Sequence, residues 1–148
     1  MSDVVIGLGN PLLGDDGVGI EVASIIEKEM PHINVKKACV GGMTLAEMVA
    51  GYKRAIIIDG IEGEGEGEVV EIDIKNLKAR SMVGHDVDFA TAVKILSRIT
   101  KMPDIKILGI KIGKSCWKEG LSPKIKATIP KVVEKVKEIL EDGHGFTG

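Results

Sequence analysis

The stretch GLGNPLLGDDGVG, residues 7–19, sets two adjacent carboxylates, Asp15 and Asp16, in a glycine-rich turn. A further acid, Asp59, closes the apolar run AIIID at 55–59, and His85 follows Gly84 just ahead of an amphipathic segment. Two carboxylates and an imidazole make a mixed oxygen and nitrogen donor set. Such a set suits a divalent transition metal that keeps positions open to water or substrate. Each residue also has a structural reading. Asp15 or Asp16 can cap the helix that follows, Asp16 can be a solvated first-turn acid, and His85 can be a capping or surface residue. Asp59 is harder to read that way, because an acid at the end of a buried run is costly without a partner. The convergence of all three on one rim is what favours chemistry.

Other chemistries fit less well. A glycine-rich turn between strand and helix ordinarily holds a phosphate, but two aspartates would repel one. Gly7, Gly9 and Gly14 depart from GxGxxG because residue 12 is leucine, and no Walker lysine follows. No GxSxG elbow is present for a serine nucleophile. Cys39 and Cys116 are far apart, without a CxxC pair or a histidine near them in sequence. That disfavours a zinc knuckle, a disulfide scaffold and a thiol protease, and predicts reduced thiols. His32 beside Pro31 and His144 in the tail are read as structural or incidental. Trp117, the single tryptophan, has two readings in GKSCWKEG: packing over the sheet or lining a peptide groove. The run GIEGEGEGE, 60–68, lacks the twelve-residue calcium-loop pattern and is read as a flexible, solvated connection.

The elements that must position these residues alternate between strand and helix. After the opening strand, Val18, Val22, Ile25, Ile26 and Met30 recur at helical spacing, and Pro31 stops the helix. A weak strand is expected over 33–38, a short helix over Leu45–Val49, and strands at 55–59, 68–74 and 105–112. A helix after His85 presents Phe89, Ala92, Val93, Leu96 and Ile99 on one face. Ser122 and Pro123 open a last helix, with the serine hydroxyl as cap. That helix buries Ile125, Ile129, Val132, Val133, Val136 and Leu140, is kinked at Pro130, and ends in a frayed tail from Gly143. The pattern predicts one α/β domain over residues 1–148, with a mainly parallel sheet of about five strands. Sites in such sheets lie at the carboxyl ends of the strands, which brings Asp16, Asp59 and His85 to one rim.

Composition narrows the function further. The 148 residues carry a net charge near −2, without the basic stripe of a nucleic-acid binder. The lysines between Lys124 and Lys137 alternate with an apolar stripe and read as a solvated helix face. With 44% hydrophobic residues but only one Trp, one Tyr and two Phe, the core must be aliphatic. Neither a signal peptide nor a bilayer-length apolar run is apparent, so a soluble, cytoplasmic protein is expected.

Five segments, GLGNPLLGDDGVG, GGMT (41–44), IIIDG (56–60), Gly84-His85 and GLSPKI (120–125), occur in order over nearly the whole chain. Together they resemble the hydrogenase maturation endopeptidases. The resemblance implies a twisted sheet between two helix layers, a three-layer α/β/α fold. It also implies removal of the C-terminal extension from a NiFe hydrogenase large-subunit precursor after nickel insertion, by a monomer. The family's metal-contacting acid falls on Asp16, its second acid on Asp59 and its histidine on His85, making these three both the implied ligands and the implied catalytic residues. Nickel would come from the precursor, and cadmium or another divalent ion could take its place in crystals. Many relatives carry an acid just before the Gly41-Gly42 doublet, in a segment tied to substrate choice; this chain has Val40, so Val40, Gly41 and Gly42 are candidate recognition residues. The family is sometimes grouped with the aspartic peptidases, yet the pepsin-type D-[ST]-G signature is absent. GLGNP also opens peptidyl-tRNA hydrolases, but no histidine precedes His32 here. A nickel-binding chaperone or sensor could use the same three ligands without cutting anything.

Overall fold

The computed structural model describes residues 2–74 and 88–142; Gly84, His85, His144 and the tail from Gly143 lie outside the described residues. Five strands form one sheet: β1 (Asp3–Leu8), β2 (Asn34–Ala38), β3 (Arg54–Glu62), β4 (Val69–Ile72) and β5 (Asp104–Ile112). Their spatial order is β2-β1-β3-β5-β4. The first four pair in parallel, and β4 runs antiparallel to β5 at the edge. A mainly parallel sheet of about five strands was the expectation, and it holds.

Helices cover both faces, so the fold is three-layered. Alternation along the strands divides the apolar side chains. Val5, Ile56, Ile58, Leu108, Ile110 and Ile112 pack with α1 (Val18–Glu29), α4 (Pro123–Lys126) and α5 (Ile129–Asp142). Val4, Ile6, Leu8, Ala55, Ile57 and Ile107 pack with α2 (Gly42–Val49) and α3 (Phe89–Leu96). Strands buried on both faces read as continuous apolar runs, which is why VVI and AIII rather than strict alternation mark β1 and β3. Each fully buried Ile or Leu contributes about 1.5–3 kcal/mol, so an aliphatic core needs no aromatic residue beyond Phe89.

Several local expectations change. The last helix is two helices: Ala127 and Thr128 separate α4 from α5, and Pro130 is the second residue of α5. Proline lacks the N–H that a continuous helix would direct at Lys126, but the first turn of a new helix leaves that N–H unpaired anyway. The chain therefore restarts at Pro130 and does not merely bend. Helix α3 stops at Leu96, which leaves Ile99 80% exposed rather than on the buried face. Its cap is Asp88, whose carboxylate accepts from Thr91 N and Thr91 Oγ1, both at 3.0 Å. The 60–68 run is a solvated connection only in its middle, where 63–66 form an exposed turn: β3 continues through Glu62, and Gly67 N donates to Lys111 O at 2.8 Å.

At Gly19, in its first turn, α1 meets the sheet with no side chain between. A Cβ on Gly19 would strike the carbonyl oxygens of Ile58 and Leu8, and one on Gly7 would strike the carbonyl oxygen of Gly19. Helix and strands thus touch through their backbones at the start of α1.

Candidate active site

The chain crosses from β1 to β2 through α1 on one face and from β2 to β3 through α2 on the other. The direction of winding reverses between β1 and β3, and the crevice at such a switch point is where ligands bind in open α/β sheets. The turn after β1 and the end of β3 meet there. Gly7 of β1 stands beside Ile58 of β3, and Asp59 follows Ile58 on the α2–α3 face by strand alternation.

Asp59 is 5% exposed. Burial pushes its carboxyl up to about 8, the charge of Asp16 pushes the same way, and a hydrogen bond from Gly60 N opposes both. The structure therefore brings Asp16 and Asp59 within electrostatic reach of each other, in a place where ionising both is unfavourable. Asp16 sits in a 3-10 turn, Gly14–Gly17, and its Oδ2 accepts a hydrogen bond from Asn10 N at 2.9 Å. Gly9 makes the preceding turn possible: its φ is +145°, and a Cβ there would collide with the Asp16 carbonyl oxygen.

Neither acid of the pair caps a helix, contrary to the expectation for Asp15 or Asp16. Gly17 is the N-cap of α1, without a side-chain hydrogen bond. Asp15 instead reaches across the fold to Ser122, accepting from its backbone N at 2.7 Å and its Oγ at 2.8 Å. The Ser122 hydroxyl expected to cap α4 is thereby committed to Asp15, and α4 has no side-chain cap. This clamp joins residues 107 apart in sequence, and only the polar chemistry of each partner hinted at it.

Among the described residues no group of three or more His, Cys, Asp or Glu side chains stands together as a metal cluster. Asp16 and Asp59 are the two acids brought together, and His85 lies outside the described residues. A carboxyl held protonated by burial and by a neighbouring acid is suited to a cation, because a divalent ion relieves the repulsion that raises its pKa. Val40 is half-buried against the α2–α3 core, Gly41 is the extended N-cap of α2, and Gly42 is buried as its first residue. All three follow β2 on the same rim, where Gly9 N donates to Ala38 O at 3.1 Å. Cys39 and Cys116 are both free and exposed. Trp117 is 79% exposed, which removes the reading that packs it over the sheet.

Residues 20–139 match the HycI family, described as hydrogenase maturation protease. A candidate hydrogenase maturation protease of Methanocaldococcus jannaschii is 31% identical over 147 residues, covering 93% of this chain and 92% of that one. Among solved structures, a NiFe hydrogenase maturation protease HybD of Thermococcus kodakarensis is 28% identical, with a TM-score of 0.71 over 95% of this chain and 99% of that one. The hydrogenase maturating endopeptidase HybD of Escherichia coli shares the fold, with a TM-score of 0.79 over 97% of this chain and 94% of that one at 21% identity.

Proposed function

The chain belongs to the hydrogenase maturation protease family and is a peptidase, and on that premise we propose that it removes the C-terminal extension of a NiFe hydrogenase large-subunit precursor once nickel is in place. The observation that carries the nickel dependence is the acid pair at the switch point: Asp59 buried, its carboxyl at about 8, beside Asp16. Near neutral pH the metal-free protein keeps a proton on Asp59, and a cation entering the crevice must displace it. Asp16 and Asp59 would hold the ion, with His85 as third ligand. A divalent ion there would supply Lewis acidity toward the scissile carbonyl or its attacking water. Asn10 N fixes the orientation of Asp16, and the burial of Asp59 excludes the water that would weaken its electrostatics.

In this reading nickel belongs to the substrate, so the enzyme cuts only a precursor that already carries the metal. Val40, Gly41 and Gly42 contribute to recognition from the β2 side of the rim. The enzyme works as a cytoplasmic monomer on a protein substrate, in keeping with a net charge of −2 that gives nucleic acid no basic face. Membership in a protease family leaves the chaperone and peptidyl-tRNA hydrolase readings without support.

The test is mass measurement of the large subunit after incubation with the enzyme, using precursor with and without nickel. The nickel-loaded precursor should lose a C-terminal fragment and the nickel-free one stay intact. Equal cutting of both overturns the nickel dependence, and no cutting of either overturns the substrate.

A further inference from the structure

Four large apolar side chains are exposed among the described residues: Leu12, Ile95, Ile99 and Trp117. Two of them follow strands β1 and β5 on the rim that carries the acid pair. Leu13 and Lys118 form an isolated parallel bridge, in which Lys118 N donates to Leu12 O at 3.1 Å and Gly14 N donates to Lys118 O at 2.8 Å. That register sets Leu12 beside Trp117. Leu12 is 59% exposed and Trp117 79%. The bridge and the Asp15–Ser122 clamp tie the two loops to each other. An apolar groove of about 470 Å³ opens from the same two loops, lined by Pro11 and Gly14 from one and Gly120 and Leu121 from the other, and runs on to Ile25 and Ile129. None of Leu12, Trp117, Asp16 and Asp59 lines it, so the groove is a neighbour of the exposed pair and not part of it.

We propose that Leu12 and Trp117 form a docking shelf for an apolar stretch of the large-subunit precursor next to the cleaved bond. The proposal rests on the function argued above. Leu12 belongs to the turn that leads directly into Asp16, only four residues from the acid that a peptide bond must reach. A preformed apolar surface gives affinity at little cost in loop ordering, and tryptophan in such a setting is a typical centre of binding energy. A second copy of this chain is a poorer occupant. A stable dimer needs about 800 Å² per partner, whereas one aromatic side chain supplies about 150–250 Å².

The single tryptophan provides the experiment. Protein labelled with 5-fluorotryptophan gives one fluorine resonance, and unlabelled nickel-loaded precursor is titrated in while cleavage kinetics are measured in parallel. The resonance should shift or broaden on precursor addition. Trp117→Ser and Leu12→Ser should each raise KM for the precursor about tenfold, with kcat at saturation preserved, and Trp117→Phe should restore most of the loss. An unmoved resonance, an unchanged KM, or a loss confined to kcat overturns the shelf while leaving the protease reading intact. A resonance that moves with the protein's own concentration, without precursor, assigns the surface to a second copy and also overturns it. If wild-type protein leaves the precursor uncut, the protease substrate is wrong and the shelf falls with it, an outcome told apart from the others by the cleavage measurement.

Discussion

Replacing Asp59 by asparagine should change how stability depends on pH, and the size of the change follows from its surroundings. In the folded protein, burial and then the Asp16 charge hold the Asp59 carboxyl at about 8, against an ordinary value of 3.8. Between those values the folded state keeps a proton that the unfolded state has released. Stability therefore falls as pH rises, by about 1.4 kcal/mol per unit. The contribution is fully favourable below about pH 4, declines through the neutral range and levels off above about pH 8. From pH 5 to pH 7 the loss is on the order of 3 kcal/mol. Asparagine has nearly the same shape, can still accept from Gly60 N and cannot ionise. Urea unfolding of wild type and Asp59→Asn, in chelator at pH 5, 6, 7 and 8, isolates Asp59 together with its coupling to Asp16, because titrating groups away from the pair cancel in the difference. The variant should gain on the wild type by about 3 kcal/mol between pH 5 and pH 7, while losing cleavage of the precursor. Parallel stability curves across that range would refute the reasoning, since they would mean that Asp59 releases its proton as easily folded as unfolded.

Asp16→Asn and His85→Ala should each lower precursor cleavage at least about tenfold, measured by gel mobility of the large subunit; near-normal cutting by either would remove that residue from the site. Ser122→Ala deletes the hydroxyl that donates to Asp15 Oδ2 at 2.8 Å and should cost about 1.5–3 kcal/mol in chemical denaturation, as for other hydrogen bonds to charged groups. Gly9→Ala drives a Cβ toward the Asp16 carbonyl at a φ of +145°, so thermal melting should show about 1–3 kcal/mol of destabilisation with reduced cleavage. The Cys39→Ala, Cys116→Ala double variant should process precursor at a near-normal rate. Because both thiols are exposed, its stability should stay within about 0.5 kcal/mol of wild type.

The layered fold was legible because its cause is local. Runs such as AIIID and the spacing of Val18, Val22 and Ile26 are what burial on two sheet faces and one helix face require. The acid pair was legible by topology, since a strand end and the turn after a neighbouring strand must share a rim. What was not legible depends on contacts between distant residues. Ser122-Pro123 reads as a capped helix start, and nothing near it announces that Asp15 takes the hydroxyl. The same commitment explains why an acid at a helix start fails to cap it. Pro130 reads as a kink within a periodic stripe, because the stripe of Ile125, Ile129 and Val132 stays in phase across the break between α4 and α5. The exposure of Leu12 and Trp117 was invisible for the opposite reason: apolar residues in loops carry no periodicity to say which way they face.

The backbone contact at the start of α1 bears on how this protein can evolve. Gly7 and Gly19 let the helix rest on the peptide groups of β1 and β3, so its first turn is gauged against covalent geometry and not against side-chain volumes. Substitutions among Ile, Leu and Val elsewhere in the core can shift α2, α3 and α5 by tenths of an ångström to restore packing. The turn bearing Asp16 and the strand bearing Asp59 share a reference that such shifts do not touch. Sequence drift through the aliphatic interior can therefore proceed far while the spacing of the two acids stays fixed, at the price of two glycines that tolerate no side chain.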